Sequence, residues 1–173
     1  SKHPHCKLLL LSSIGVFGAS QCVVNEKSTP TPEGISGQQL LDAEKSIKNA
    51  ANPATIVRLG GLVGGDRHPA KQLAGKINIP APQAPTNLVH RKDVVRFLMA
   101  IIEEGHWGKT LHCVSPNHQS RIDFYTEASK RLNLPLPSFA KTASKRNKKV
   151  MDSRSAALFD FSYRLADCGV EGS

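Results

Sequence analysis

Short apolar runs alternate along this chain with longer stretches in which apolar residues recur at helical spacing. The run LLLL at residues 8–11 has the length and continuity of a strand buried in a parallel sheet. The runs ATIVRL at 54–59 and KTLHCVS at 109–115 predict two more strands, and the first of them leads into the glycine-rich bend GGLVGG. Residues 25–37 are rich in Pro, Ser, Thr and Gly and predict a loop.

Three stretches predict helices. Residues 38–49 carry apolar side chains three and four positions apart, with Glu44 and Lys48 spaced to pair on one face. Residues 92–104 predict the strongest helix, with Asp93 as its amino-terminal cap. Residues 120–133 predict a third helix, which Ser120 would cap. Strands that alternate with helices favour a parallel sheet.

The stretch KLLLLSSIGVFGASQC at residues 7–22 permits two interpretations. A lysine, a leucine run and small residues before a cysteine are typical of a secretory signal peptide, in particular a lipoprotein one. However, Gln21 stands directly before Cys22, where a lipoprotein cleavage site needs a small residue, and serines and a glycine interrupt the apolar run. We therefore expect a strand.

Composition indicates one globular domain. The 173 residues are 39% hydrophobic and 21% charged, and no apolar run approaches the roughly 20 residues of a membrane-spanning helix. The cysteines form neither a C-x-x-C pair nor a Cys/His cluster, which predicts reduced thiols in a cytoplasmic protein and no metal site. They are Cys6, Cys22, Cys113 and Cys168.

The net charge of +9 arises from 23 Lys and Arg against 14 Asp and Glu. A chain with this charge binds polyanions at low salt whatever its function. The densest basic stretch, residues 141–149, has no aromatic residue on which a base would stack. It favours a solvated basic loop or an anion-attracting rim over nucleic-acid binding.

Five motifs follow one another in an order known from one group of proteins. They are LLLSSIGVFG, PEG with DAE, ATIVRLGGLVGGDR, NLVHRKDV and TLHCVSPNHQSRIDFY, and a tail from NKKVMDS to FDFSYR continues the series. In this order they resemble the extended short-chain dehydrogenase/reductases, the NAD-dependent epimerase/dehydratase superfamily, and above all its atypical members. The resemblance covers nearly the whole chain.

The resemblance implies an α/β fold with a truncated Rossmann-like parallel sheet, the last strands of a doubly wound sheet, and a carboxyl-terminal substrate-side α/β segment. Within a single domain over 1–173, residues 1–66 and 92–116 would form the Rossmann-like remnant. Residues 67–91 and 117–173 would form the substrate-side segments.

The resemblance also implies site residues at the carboxyl ends of the strands, where open α/β sheets bind ligands. Ser13, four residues before Phe17, matches a serine or threonine of the family pattern. Its hydroxyl would bind a substrate carbonyl or alcohol, or else tie down the loop that follows. The backbone beside the nicotinamide corresponds to Leu59, Gly60, Gly61, Leu62 and Val63.

Four further positions match substrate-side residues of the family. Arg67 would pair with a phosphate or carboxylate, or form a surface ion pair. Asn87 and His90 match the segment that the family reads as N.iH..D, and His90 is either a general base or a hydrogen-bonded strand histidine. Arg121 would reach the substrate or anchor its loop.

The chain departs from the family in two respects. Nothing before residue 7 resembles the strand, G-x-x-G-x-x-G turn and helix that hold the cofactor pyrophosphate, so NAD or NADP is implied by the family only. The family's Tyr-x-x-x-Lys pair falls on Ser36 and Leu40. A serine hydroxyl does not ionise near neutral pH and leucine carries no charge, so ordinary Tyr/Lys redox catalysis is not supported.

A sheet of this kind would leave its first strand with an unpaired edge, which we expect to be covered. A homodimer would cover it, and the helix at 38–49 resembles the one by which family members dimerise. A separate chain or an upstream portion that supplies the amino-terminal half would also cover it. Two functions remain open. The first is an NAD(P)-dependent epimerase/dehydratase-like protein for a small or sugar-nucleotide substrate, and the alternative is a non-catalytic binding or regulatory protein derived from this fold.

Overall fold

A computed structural model describes residues 6–50, 53–141, 147–158 and 160–163 of the chain. These residues contain short and long strands, α-helices and a 3-10 turn at Ile14–Val16. The strands are β1 (Leu8–Ser13), β2 (Val23–Val24), β3 (Ala54–Leu59), β4 (Gly61–Val63), β5 (Leu88–His90), β6 (Thr110–Cys113) and β7 (Lys149–Val150). The helices are α1 (Ile35–Ala50), α2 (Ala70–Leu73), α3 (Arg91–Glu103), α4 (Arg121–Arg131) and α5 (Ser153–Leu158).

The central sheet consists of β1, β3 and β6, all parallel, with β3 in the middle. Two small parallel sheets, β2 with β7 and β4 with β5, lie beside it. The predicted strands and helices are all present, and the mixed α/β fold with a parallel Rossmann-like sheet is confirmed. The stretch that permitted a signal-peptide interpretation contains β1, as the strand interpretation predicted.

The two faces of the central sheet have different chemistry because successive side chains of a strand point to opposite faces. One face is apolar: Val57, Leu59, Leu111 and Cys113 pack against Val94, Phe97 and Ile101 of α3. The other face carries a polar row, since Ser12 pairs in register with Arg58 and Arg58 with His112. Helix α1 packs on this polar face, where it supplies Glu44.

Helix α1 begins at Ile35, inside the predicted loop. Gly37 in its first turn lets the helix approach the turn after β1. A Cβ added at Gly37 would lie 2.7 Å from the carbonyl oxygen of Gly15 and 2.8 Å from the Cβ of Pro32. Only a residue without a side chain fits at this contact.

The amino-terminal cap of α3 differs from the prediction. His90, and not Asp93, is the cap residue, and its Nδ1 accepts a hydrogen bond of 3.2 Å from the Lys92 amide. Asp93 lies in the first turn, where it is buried and pairs with the Arg96 guanidinium at 2.7 Å. A carboxylate in the first turn is favourable because it faces the positive end of the helix dipole. The Ser120 cap of α4 is confirmed by the 3.2 Å bond from the Asp123 amide to its hydroxyl.

Several expectations from the sequence concern other parts of the molecule. No helix among the described residues combines the length and apolarity that crossing a bilayer requires. The described ranges also contain no group of three or more His, Cys, Asp or Glu side chains placed to hold a metal ion. Cys168 and residues 142–146 of the basic stretch lie outside the described residues.

Candidate functional site

The carboxyl ends of the three central strands meet at one edge of the sheet. Ser13, Leu59 and Cys113 are the last residues of β1, β3 and β6, and the register pairs Ser13 with Leu59 and Leu59 with Cys113. In open parallel sheets, ligands bind outside this edge. It is therefore the candidate site.

Ser13 ends β1 and starts the 3-10 turn. Its Oγ accepts a hydrogen bond of 3.1 Å from the Gly15 amide, so the hydroxyl caps the turn. The structure thus shows the loop-tying contact, one of the two alternatives that the sequence left open, at the edge that forms the candidate site. An Oγ that accepts from one amide keeps its own proton for a second partner.

The glycine bend after β3 is held by backbone hydrogen bonds. The Gly60 amide donates to the Cys113 carbonyl at 3.0 Å, and the Gly61 amide donates to the Asn87 carbonyl at 2.8 Å. A Cβ at Gly60 would meet the Asn87 carbonyl oxygen at 2.9 Å, so close packing explains this glycine. Because both amides are already engaged, they form no row of free donors for a phosphate.

A second pair of glycines has a different requirement. Gly64 has φ +118° and Gly65 has φ +59°, conformations that L side chains rarely adopt. Between Leu62 and Val63 of β4 and the exposed Arg67, these glycines reverse the chain, and the Gly64 amide donates to the Arg67 carbonyl at 3.0 Å.

Asn87 connects two segments far apart in sequence. Its Nδ2 donates to the Lys148 carbonyl at 2.8 Å, and its Oδ1 accepts from the Val150 amide at 2.8 Å. These bonds anchor β7 beside the glycine bend. The role of Asn87 in substrate binding stays a prediction, since the described contacts of its carboxamide are to backbone.

The other predicted substrate residues lie in different surroundings. His90 is buried at the start of α3, where its Nδ1 serves as the helix cap. Arg121 donates to the Pro80 carbonyl at 2.9 Å, and its guanidinium lies 5.9 Å from the centre of the Tyr125 ring. The Arg121 contact is the loop-anchoring one of its two predicted alternatives.

The two α1 positions that match the family's tyrosine and lysine carry no ionisable group. Ser36 is exposed in the first turn of α1. Leu40 packs against the apolar cluster of Val16, Phe17 and Val24. The surroundings of Leu40 would not stabilise a buried charge.

Lys148, which no sequence pattern indicates as a site residue, lies at this edge although it is far from β1 in sequence. The ammonium of Lys148 donates to the carbonyls of Ile14 and Phe17, at 3.1 and 2.6 Å. Burial lowers the pKa of Lys148, and the Glu33 carboxylate opposes that shift. Lys148 belongs to the basic stretch for which the sequence favours a solvated loop or an anion-attracting rim, and nothing in its local pattern distinguishes it.

Below the edge, the polar row holds a buried ion pair. Glu44 accepts from Arg58 at 2.9 and 2.7 Å and from the Ser12 hydroxyl at 2.7 Å. Burial alone would raise the pKa of Glu44, but the hydrogen bonds from Arg58 and Ser12 outweigh it and the pKa is lowered. The Arg58 guanidinium also lies 5.1 Å from the centre of the Phe17 ring.

His112, the third member of the polar row, is fully buried. Its Nδ1 donates to the Met151 carbonyl at 2.9 Å, and its Nε2 has no hydrogen-bond partner among the described residues. Burial lowers the pKa of His112, against the Met151 hydrogen bond and the Glu26 carboxylate. We therefore expect a neutral imidazole at pH 7.

Tyr163 approaches the carboxyl end of β6. Its Oη accepts from the Val114 amide at 3.1 Å and hydrogen-bonds with the Asp152 carboxyl. Burial raises the pKa values of Tyr163, Asp152 and Cys113. The phenol and the thiol are therefore protonated at neutral pH and act as structural groups.

Comparison of the sequence with known proteins finds a relative of greater length. No protein-family model matches the chain. It is 31% identical over 163 residues to Protein YeeZ of Escherichia coli K12, which covers 93% of this chain and 59% of YeeZ. The chain thus spans about three fifths of this relative's length.

Solved structures show the same partial overlap. A dTDP-4-dehydrorhamnose reductase from Clostridium acetobutylicum superposes with a TM-score of 0.76 at 18% identity, over 94% of this chain and 63% of the reductase. A dTDP-glucose 4,6-dehydratase from Bacillus anthracis, solved with NAD, gives a TM-score of 0.75 at 15% identity, over 94% and 58%. This chain therefore shares the α/β fold of this reductase and this dehydratase, over about 60% of the length of each.

Proposed function

We propose that this chain is an NAD(P)-dependent epimerase/dehydratase-like protein that lacks ordinary Tyr/Lys redox catalysis and is incomplete for cofactor binding by itself. The observation that carries the proposal is the pair of positions on α1. An exposed Ser36 and an apolar, packed Leu40 stand where the catalytic tyrosine and lysine would be. Neither side chain supplies a proton at neutral pH.

The two tyrosines of the chain do not offer a replacement. Burial raises the pKa of Tyr125 and of Tyr163. The Tyr163 hydroxyl is also engaged by the Val114 amide and by Asp152. A phenol whose pKa is raised is a weaker source of phenolate than free tyrosine, which is the opposite of what the superfamily's reaction needs.

The cofactor in this proposal is NAD or NADP, with its nicotinamide beside residues 59–63. The engaged amides of Gly60 and Gly61 support a role in packing against the cofactor rather than in binding its pyrophosphate. In the proposal, the missing phosphate-binding turn is replaced across a dimer, or it is supplied by a separate chain or an upstream portion that carries the amino-terminal half. The open edge of β1 supports such a partner, because β1 pairs with β3 alone among the described strands.

The alternative is a non-catalytic binding or regulatory protein that keeps the fold. The loss of both ionisable groups at Ser36 and Leu40 favours it. The position of Ser13, at the ligand-binding edge with its proton available, favours ligand handling. We place either protein in the cytoplasm, since Cys6, Cys22 and Cys113 are free thiols.

Calorimetric titration of the chain with NAD⁺, NADH, NADP⁺ and NADPH tests the proposal. Saturable micromolar binding of at least one dinucleotide is expected if a dimer replaces the missing turn. No heat with any of the four would mean that the chain alone is not a dinucleotide enzyme, and it would leave the amino-terminal half as the source of the turn. A second assay incubates the protein with NAD⁺ and dTDP-glucose and follows absorbance at the NADH wavelength. No NADH is expected, and its formation would contradict the loss of redox catalysis.

A further inference from the structure

The turn that carries Ser13 has few hydrogen bonds of its own, although Val16 and the following Phe17 are buried in an apolar cluster. Within the turn, the Gly15 amide donates to the Ser13 Oγ at 3.1 Å and the Phe17 amide donates to the Ile14 carbonyl at 3.2 Å. Two such neutral bonds in a three-residue 3-10 turn provide little resistance to local opening. The position of the Ser13 hydroxyl therefore depends on what holds the turn from outside.

Lys148 holds the turn at both ends. Its ammonium donates to the carbonyl of Ile14, at the start of the turn, and to that of Phe17, directly after it. The two carbonyls would otherwise lack these partners, and hydrogen bonds from a charged donor are roughly twice as strong as neutral ones. One side chain thus fixes the distance between the two ends of the turn.

The backbone of Lys148 is itself fixed. The carboxamide of Asn87 bonds to the Lys148 carbonyl and the Val150 amide. On the other side, the Lys149 amide donates to the Cys22 carbonyl at 2.7 Å, and the Met151 amide donates to the Val24 carbonyl at 2.8 Å. The Lys148 ammonium is therefore carried by a backbone segment that hydrogen bonds hold on both sides.

We propose that Lys148 is a positioning residue for Ser13, which it serves by holding the Ile14–Val16 turn closed through the Ile14 and Phe17 carbonyls. Its use in ligand handling rests on the proposed function; the tether itself does not. Burial of the ammonium, which lowers its pKa, supports the proposal, because a half-buried lysine remains in place only if its hydrogen bonds offset the lost hydration.

Amide hydrogen exchange of K148M, K148R and the neighbouring control K149M tests the tether without any ligand. In K148M we expect exchange of the Gly15 and Phe17 amides to accelerate at least about tenfold, because two charge-assisted bonds are lost. Core amides such as that of Val57 should keep wild-type rates. K149M should exchange like wild type, and K148R, which retains two donors, should restore most of the protection.

Unchanged exchange at Gly15 and Phe17 in K148M would overturn the proposal. Equal acceleration in K148M and K148R would also overturn it, because the fit of the lysine stem rather than its donors would then hold the turn. If K148M does not fold, the wild-type ammonium gives the answer by NMR. We expect a slowly exchanging Lys148 Nζ signal with Overhauser contacts to Ile14 and Phe17, and the absence of these contacts would refute the tether. Dinucleotide titration addresses the proposed function separately.

Discussion

Arg58 is a buried guanidinium that one carboxylate neutralises. Its side chain is 5% exposed and that of Glu44 is 2% exposed, and their closest atoms are 2.7 Å apart. Breaking such a pair from one side leaves an uncompensated buried charge, which costs far more than the intact pair contributes. The pair lies directly under the turn that carries Ser13, since Ser12 donates to the same Glu44 carboxylate.

Glu44→Gln should therefore lower the free energy of unfolding by about 3–5 kcal/mol. Asp42→Asn removes the partner of Lys45 in an exposed pair on the same helix, with side chains 57% and 63% exposed, and should change stability by about 0.5 kcal/mol or less. Chemical denaturation of both variants measures the difference. Equal, small losses would show that Arg58 finds another partner or reaches solvent.

The pH dependence of stability should reflect His112. Burial lowers its pKa, so the folded protein binds this proton less readily than the unfolded chain, whose histidines titrate near 6.5. The unfolding free energy should therefore fall as the pH is lowered below about 6.5, until the pKa of the folded state is reached. Denaturation between pH 5 and 8 is the measurement.

His112→Asn is expected to reduce that slope, whatever its effect on stability at pH 8. Part of the slope should remain, because burial also lowers the pKa of His118. A His112→Asn slope identical to wild type would mean that His112 does not titrate differently in the folded and unfolded states.

For single residues, the sequence allows a match to motif positions but does not show which distant residues are in contact. Ser36 and Leu40 follow from counting back from Glu44, which matches the helix glutamate of the family, and their assignment stays a prediction. Lys148 escaped notice because its partners, the carbonyls of Ile14 and Phe17, lie more than 130 residues away in sequence. The cap of α3 was assigned to Asp93 by residue type, whereas backbone position selects His90.

Among the elements, α1 is positioned by a close approach of backbones. The carbonyl of Gly15 lies where a Cβ of residue 37 would be, and this contact joins the first turn of α1 to the turn after β1. Gly37 thus lets α1, which supplies Glu44 to the polar face of the sheet, pack closely against the turn at the site edge.

Gly37→Ala should lower stability by about 1–3 kcal/mol, because the added methyl group overpacks a contact between backbones. Gly34→Ala, three residues earlier, has nothing within 4 Å of its new Cβ and should be neutral or stabilise by up to about 1 kcal/mol. Thermal or chemical unfolding of the two variants compares them directly. Similar unfolding free energies of the two variants would indicate that α1 can move to accommodate the added methyl group without loss of stability.

The long elements could be predicted because their apolar spacing is local information. The continuous runs of β1, β3 and β6 and the helical spacing of α1, α3 and α4 suffice for this purpose. By contrast, β2 and β7 contain two residues each and exist through pairing with each other across the chain. No window of neighbouring residues carries that information. For the same reason, the sequence did not predict the hydrogen bonds from the Asn87 carboxamide that hold β7.

At the scale of the molecule, β1 is the outer strand of the central sheet among the described strands. This strand, LLLLSS, contains no charge and no proline, and among the described strands it has β3 as its single neighbour. Leu11 is 47% exposed although its register partner Val57 is fully buried. An open, apolar strand edge of this kind is a site for pairing with another chain.

Leu11→Lys should therefore reduce self-association of the chain or its pairing with a partner. A charge beside an open edge opposes strand addition, and the side chain is exposed enough for the folded chain to tolerate it. Ile77→Lys adds the same charge at a residue that is 81% exposed and lies outside the central sheet, so it controls for the rise in net charge.

Sedimentation velocity over a range of protein concentrations is the measurement. We expect Leu11→Lys to sediment as a smaller species than wild type and Ile77→Lys to match wild type. A wild-type chain that is monomeric at every concentration would show that β1 does not pair with a second copy, and the proposed function would then need an amino-terminal half from a separate chain or an upstream portion.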